Sequence, residues 1–204
     1  MDLFETLRND ILTQKIENGA KLTEQNVCNM YGVSRTPVRE AFQKLELDGL
    51  IDIVPNKGAY VRGLSLQDIK DMYELRKAYE VICVQFAIDR ITDEEMEKLR
   101  ESYDLMEFFR IREDSGKFLD MNTRFHQIIY NSTENRMLQH VLTSYQVYTK
   151  NTKLNHSYIS QYYDEVLEEH KAIYEAIANK DKEAAKLAAA VHMDNSRRRA
   201  GFSD

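Results

Sequence analysis

The chain has no tryptophan, only two prolines and seven glycines among 204 residues, and just two cysteines. Scarce proline and glycine leave long stretches free to be helical, so helix should dominate over strand. Cys28 and Cys83 form no CxxC pair, which excludes a disulfide scaffold and a cysteine-based zinc site. Both fall in predicted helices among apolar neighbours and read as buried, reduced core residues. No apolar run approaches the length of a membrane span. Asp2 and Glu5 in an amphipathic start are unlike a signal peptide, so the expectation is a cytoplasmic protein with no membrane partner. Positive charge is also lacking: 28 Lys and Arg face 34 Asp and Glu, a net charge of −6. Residues 1–66 carry eight basic against nine acidic side chains. Any contact with a polyanion must therefore be concentrated on a small face.

What is present begins with the stretch Gly32 to Arg62, which reads as turn, helix and hairpin. Gly32 suits the positive φ of a tight turn. Ser34 is a suitable N-cap, and Pro37 falls in the first helical turn, where its missing N–H costs little. A helix should begin at Arg35, with Val38, Ala41, Phe42 and Leu45 on one face and Gly49 past its end. Leu50, Ile51 and Ile53 then start a strand, Pro55-Asn56-Lys57-Gly58 turns the chain, and Ala59-Tyr60-Val61 returns. A short helix from about Thr23 to Tyr31 precedes this, and an amphipathic helix from Asp2 to Asn18 precedes that. Two helices joined by a short glycine-containing turn, followed by a hairpin, predict a winged helix-turn-helix. Arg35 and Arg39, one turn apart near the start of the second helix, leave the same face and are each able to read a guanine. Thr36 and the free first-turn N–H groups suit a phosphate, and Lys57 at the wing tip could reach the backbone or minor groove.

Val33-Ser-Arg-Thr-Pro-Val-Arg-Glu-Ala41 resembles the signature of the GntR family of bacterial transcription regulators, in its FadR-like branch. The resemblance implies that Arg35, Thr36 and Arg39 contact DNA, with Lys57 and Gly58 at the wing tip. At Asn26-Val27-Cys28 the chain departs from the family's usual charged residue followed by Leu-Ala.

After Gly63-Leu64-Ser65, with Ser65 as N-cap and Asp68 at the capping-box position, only helical patterns follow. The expected helices run from Leu66 to Arg90, from the Thr92 capping box to about Asp114, from Lys117 to Asn131, from Glu134 to Lys150, from Ser160 to Asn179 and from Asp181 to Ala200. Ser115-Gly116 is expected to end the second of these, and a loop to run through Asn155. Short connections predict an antiparallel bundle. The fold class is thus mainly α, with a winged helix-turn-helix over 1–64 and an all-α bundle over 65–204.

All five histidines lie in this second part. His126 shares a face with Ile129 and Tyr130, His170 with Ile173, Tyr174 and Ile177, and His192 with Leu187, Ala188 and Ala189. Asn122 and His126 are i and i+4, so one cavity could collect them with two more imidazoles. Such an N3O set suits a divalent first-row metal, Zn, Ni, Mn or Fe. From spacing alone, satisfied core histidines are the alternative. His140 and His156 read as surface or helix-end residues, and Arg197-Arg-Arg199 as a solvated helix end.

Met121 to His126, Asn131 to Asn135, Glu168 to Ile173 and Ala188 to His192 resemble the successive motifs of the FCD ligand-binding domain of FadR-like regulators. By position, that resemblance implies metal ligands Asn122, His126, His170 and His192, with Asn122 standing where the family usually has Asp. Four neutral ligands leave a bound M²⁺ its full charge, which favours an anionic effector, a small carboxylate. Arg76 matches the family's arginine on the first helix of the domain. It could clamp that carboxylate or pair with Glu80 one turn later. Asn135 is a second candidate effector contact. The expected protein is a homodimeric repressor that binds a pseudo-palindromic DNA operator and a small organic acid. A metal-dependent enzyme is the rival reading, against which there is no HExxH motif and no carboxylate standing out as a general base beside the histidines.

Overall fold

The computed structural model describes residues 2–55, 57–151 and 159–202, so His156 and the loop expected through Asn155 lie outside the described residues. The chain divides into two compact units, the first running to Ile69 and the second starting at Lys70.

The first unit opens with α1 (Leu3–Leu12), capped by Asp2, whose side chain accepts from the Phe4 N–H. The helix stops well short of Asn18. Gln14 takes φ +54, and the Ile16 N–H turns back to the Asp10 carbonyl at 2.9 Å. Ile16 continues the apolar period after the chain has left the helix, which is why periodicity overshoots. Leu3, Leu7, Ile11 and Leu12 are buried. Strand β1 (Lys21–Leu22) follows, then α2 (Glu24–Tyr31), whose N-cap Thr23 accepts from the Asn26 N–H. Gly32 ends α2 at φ +67, the left-handed turn that leads into α3 (Arg35–Leu47). Val38, Ala41, Phe42 and Leu45 are its buried face, as the spacing predicts. Ser34 holds the N-cap position without a side-chain capping bond.

Strands β2 (Ile51–Val54) and β3 (Gly58–Val61) form the wing, pairing antiparallel with Ile51 opposite Val61 and Ile53 opposite Ala59. β3 is the central strand, because β1 pairs with its other edge through Lys21 opposite Tyr60 and Leu22 opposite Ala59. A two-residue strand is invisible to sequence periodicity. Asp10 is buried between α1 and α2, where it accepts from the Tyr31 hydroxyl at 2.6 Å and the Lys15 ammonium at 3.0 Å.

Beyond the wing, α4 (Leu66–Arg90) begins at the expected box: the Ser65 N–H and hydroxyl both donate to Asp68, and Ser65 Oγ accepts from the Asp68 N–H. The second unit continues with α5 (Asp93–Ile111), α6 (Ser115–Ser132), α7 (Arg136–Asn151), a 3₁₀ turn (Ile159–Tyr162), α8 (Tyr163–Ala178) and α9 (Lys182–Arg199). Thr92 and Glu95 form a reciprocal capping box on α5. Ser115-Gly116 starts α6 instead of breaking the chain, because the Asp114 carboxylate accepts from the Lys117 N–H and the left-handed residue is Glu113, φ +54. One core joins Cys83, Val84, Leu99, Met106, Phe118, Phe125, Ile129, Tyr130, Leu142, Ile173, Ile177 and Ala189. Cys83 is buried as expected, whereas Cys28 is only half-buried on the short helix α2.

Candidate metal centre and nucleic-acid interface

Three histidines from three helices meet inside the second unit. α6 carries His126, α8 carries His170 and α9 carries His192, all buried, and one nitrogen from each lies within 4.8 Å of the others. Their ring centroids are 4.7 to 5.1 Å apart. Helix geometry selects their neighbours: His192 shares its buried face with Ala185, Ala189 and Met193, at i−7, i−3 and i+1. Leu187, expected on that face, is 67% exposed, since a five-residue offset turns it well away.

Second partners fix two of the rings. His170 Nδ1 lies 2.7 Å from the Val166 carbonyl, and His192 Nδ1 lies 2.8 Å from Glu169 Oε2. Each therefore carries a proton on Nδ1, and His170 presents the lone pair of its Nε2. His170 Nε2 and His126 Nδ1 are buried with no hydrogen-bond partner among the described residues. Burial, reinforced by His192, pushes His170 down to about 3, and burial with the neighbouring His192 and His170 pushes His126 well below its ordinary value. His126 and His170 are thus held as neutral imidazoles, the state a metal ion requires, with a His192 nitrogen within 4.8 Å of theirs.

Asn122, His126 and His192 line a cavity of about 80 Å³ with Tyr73, Arg76, Thr123, Gln146, Thr149, Ser196 and Arg199. That is room for only a few waters, at about 30 Å³ each in the liquid. Arg76 forms its pair with Glu80, Nε to Oε1 at 3.1 Å, and also donates to Thr149 Oγ1 at 3.1 Å and the Tyr130 hydroxyl at 3.4 Å. Burial opposes its charge, but Tyr130 and Glu80 more than compensate and keep it a cation. Asn135 does not join this group. Its side chain caps α7, accepting from the Leu138 N–H at 3.1 Å, beside a separate surface hollow with Arg90 and Met137. His140 is exposed.

Two residues that spacing missed hold the site together. Glu169 takes both hydrogens of an Arg199 fork at 2.7 Å each, one from Asn195 at 2.7 Å, and the His192 bond. Burial raises this carboxyl, but Arg199 and His192 outweigh it and bring it down to about 2. Arg199 is thus buried and paired, not a solvated helix end; Arg198 and Arg197 pair with Glu165 and Glu74. The only local sign of Glu169 was its place next to His170. Carboxylates do stand beside the histidines, then, since Glu80 also comes within 3.8 Å of His126. Glu169 is tied to Arg199 and Glu80 to Arg76 and Tyr130, so neither is poised as a general base.

In the first unit, Arg35 and Thr36 occupy the exposed first turn of α3, and Arg39 lies one turn on. Arg39 pairs with Glu24 of α2, and that bond holds the Glu24 carboxyl below its ordinary value. Lys57 is exposed in the turn between β2 and β3, closed by its N–H to the Val54 carbonyl at 3.0 Å. Gly58 begins β3 at φ +101, where a side chain would meet the Leu22 carbonyl at 2.9 Å.

Residues 2–61 match the family model "Bacterial regulatory proteins, gntR family", and residues 71–195 match the FCD domain. The Uxu operon transcriptional regulator of Escherichia coli K12 is 30% identical, over 95% of this chain and 83% of its own. The HTH-type transcriptional repressor RspR of the same strain is 26% identical, over 94% and 84%. The solved structure of E. coli McbR/YncC superposes with a TM-score of 0.73 at 19% identity, covering 98% of this chain and 95% of that one. These relatives regulate transcription and are not enzymes, and among the described residues no helix is long and apolar enough to cross a membrane. The chain belongs to the GntR family of bacterial transcription regulators, in the FadR-like branch that couples a DNA-binding winged helix-turn-helix to an FCD effector-binding domain.

Proposed function

We propose that the chain is a cytoplasmic repressor that binds a pseudo-palindromic operator as a homodimer and responds to a small carboxylate bound at a divalent metal. In this reading residues 1–64 bind DNA and 65–204 bind metal and effector and dimerise. Arg35 and Arg39 read bases, Thr36 holds a phosphate, and Lys57 with Gly58 sits at the wing tip. His126, His170 and His192 hold the metal, with Asn122 as a fourth, weaker ligand.

The observation that carries the effector reading is the charge balance of the cavity. Arg76 is matched by Glu80 and Arg199 by Glu169, and His126, His170 and Asn122 are neutral. A bound divalent ion would be the uncompensated charge there, and it would supply Lewis-acid attraction for an anion. Arg76 has five N–H donors, of which three are engaged by Glu80, Thr149 and Tyr130, so two can meet a carboxylate. The cavity limits that carboxylate to a small molecule.

The test is thermal melting of the purified protein against small organic, sugar and amino acids, each with and without divalent metal. A carboxylate-dependent shift that requires metal and vanishes in His126→Ala is expected. A shift with metal alone and with no acid would make the metal structural or itself the signal, and DNA affinity that tracks metal concentration would decide for the latter.

A further inference from the structure

The two arginines on the exposed face of α3 are both held from the first turn of α2. Arg39 donates through Nε to Glu24 Oε1 at 2.7 Å and through Nη2 to Glu24 Oε2 at 3.0 Å. Arg35 donates through Nη2 to Gln25 Oε1 at 3.2 Å. Glu24 and Gln25 are the first two residues of α2, set in place by the Thr23 cap. We propose that Glu24 is a positioning residue for base recognition, gripping the Nε edge of Arg39 so that its outer edge is held ready for the O6 and N7 of a guanine. The inference rests on the recognition-helix reading above and deepens it.

The donor geometry supports it. A guanidinium has two usable forks, and the carboxylate occupies the Nε/Nη2 fork. The Nη1 amine and the second Nη2 hydrogen form the other, the one a guanine accepts. The Arg39 side chain is 63% exposed, and ion pairs that open to water add little stability. What the pair does supply is orientation, since an arginine already fixed in direction has less freedom to lose on docking. Charge points the same way. Glu24 cancels the Arg39 cation in a segment that already holds more acid than base. Attraction to phosphate falls along any duplex, while the base-reading fork is untouched. Arg35, held by one bond to a neutral amide, feels the Glu24 charge more weakly than Arg39 does, so discrimination should be sharper at the base facing Arg39.

The experiment is selection of binding sites from randomised duplex DNA by the full-length protein, followed by titration of wild type, Glu24→Ala, Glu24→Gln and Arg39→Ala. The probes are the selected duplex, the same duplex with each guanine replaced, and an unrelated duplex. Glu24→Ala should lose about tenfold of its discrimination at the one guanine per half-site that Arg39→Ala also stops reading. It should bind the unrelated duplex several-fold more tightly, with a steeper salt dependence, about one more counterion released per subunit. Glu24→Gln, which keeps one acceptor and the side-chain volume, should fall between. A merely structural role would weaken binding to both duplexes together with the melting temperature. A simple internal competitor would tighten binding to both without altering base preference. Either result overturns the proposal, as does a change at a base that Arg39→Ala leaves alone. If the wild-type protein selects no sequence, the recognition-helix reading falls and this inference with it.

Discussion

Arg199 and Glu169 form a buried fork, with side chains only 5% and 8% exposed, and Glu169 in turn holds the Nδ1 proton of His192. Arg199→Ala would leave that carboxylate buried without its main partner, and breaking such a pair costs about 3–5 kcal/mol. Chemical denaturation should register the loss. Glu169→Gln, which keeps the shape but weakens the hold on His192, should lower metal affinity roughly 10- to 100-fold, measured by calorimetric titration. Proton titration belongs at this scale too. His170 is near 3 in the folded protein and His126 is well below its usual value, both under the unfolded value near 6.5. As pH falls below about 6.5 the unfolded chain takes up protons that the folded one refuses, so stability present above that pH is lost progressively towards 3. Glu169, near 2 when folded, adds a further loss as pH falls from about 4.5 to 2. The denaturation midpoint of metal-free protein should therefore decline steadily from pH 6.5 to 4; a flat profile would mean the imidazoles are not held neutral.

At the scale of the element, the wing depends on a close approach. β1 runs against β3 where Gly58 faces the Leu22 carbonyl, and a Cβ there would lie 2.9 Å from that oxygen at a φ that L side chains rarely adopt. Gly58→Ala should destabilise the first unit by about 1–3 kcal/mol and weaken DNA binding by displacing the turn that carries Lys57. A melting temperature unchanged by this substitution would show that the sheet edge can give way. The helices were legible where caps are local: Thr92 with Glu95, Ser65 with Asp68 and Thr23 with Asn26 all lie three residues apart. The same locality sets where spacing alone misplaces a helix end. The Asp114 cap overrode the breaker reading of Ser115-Gly116, and the left-handed Gln14 stopped α1 while Ile16 still matched its period.

For the whole molecule, coupling between effector and DNA is reciprocal by thermodynamic necessity. If the metal-bound carboxylate lowers operator affinity by some factor, saturating operator must lower carboxylate affinity by the same factor. Titrating the effector with and without DNA measures this, and equal affinities would mean that the effector does not act through DNA binding. Metal at about a hundred times its Kd should add roughly 2.7 kcal/mol of stability, a rise of several degrees in Tm that a chelator reverses. The amino-acid pattern alone determined the mainly helical class, the turn-helix-wing order, the exposed arginines of α3 and the inward histidines, because each of these depends on neighbours within one or two turns. Only the tertiary structure decided how closely the three imidazoles from α6, α8 and α9 approach, that Arg199 reaches back 30 residues to Glu169, and that Glu24 grips Arg39 across 15. Those pairings depend on how helices pack, and at such separations residue spacing no longer specifies direction or distance.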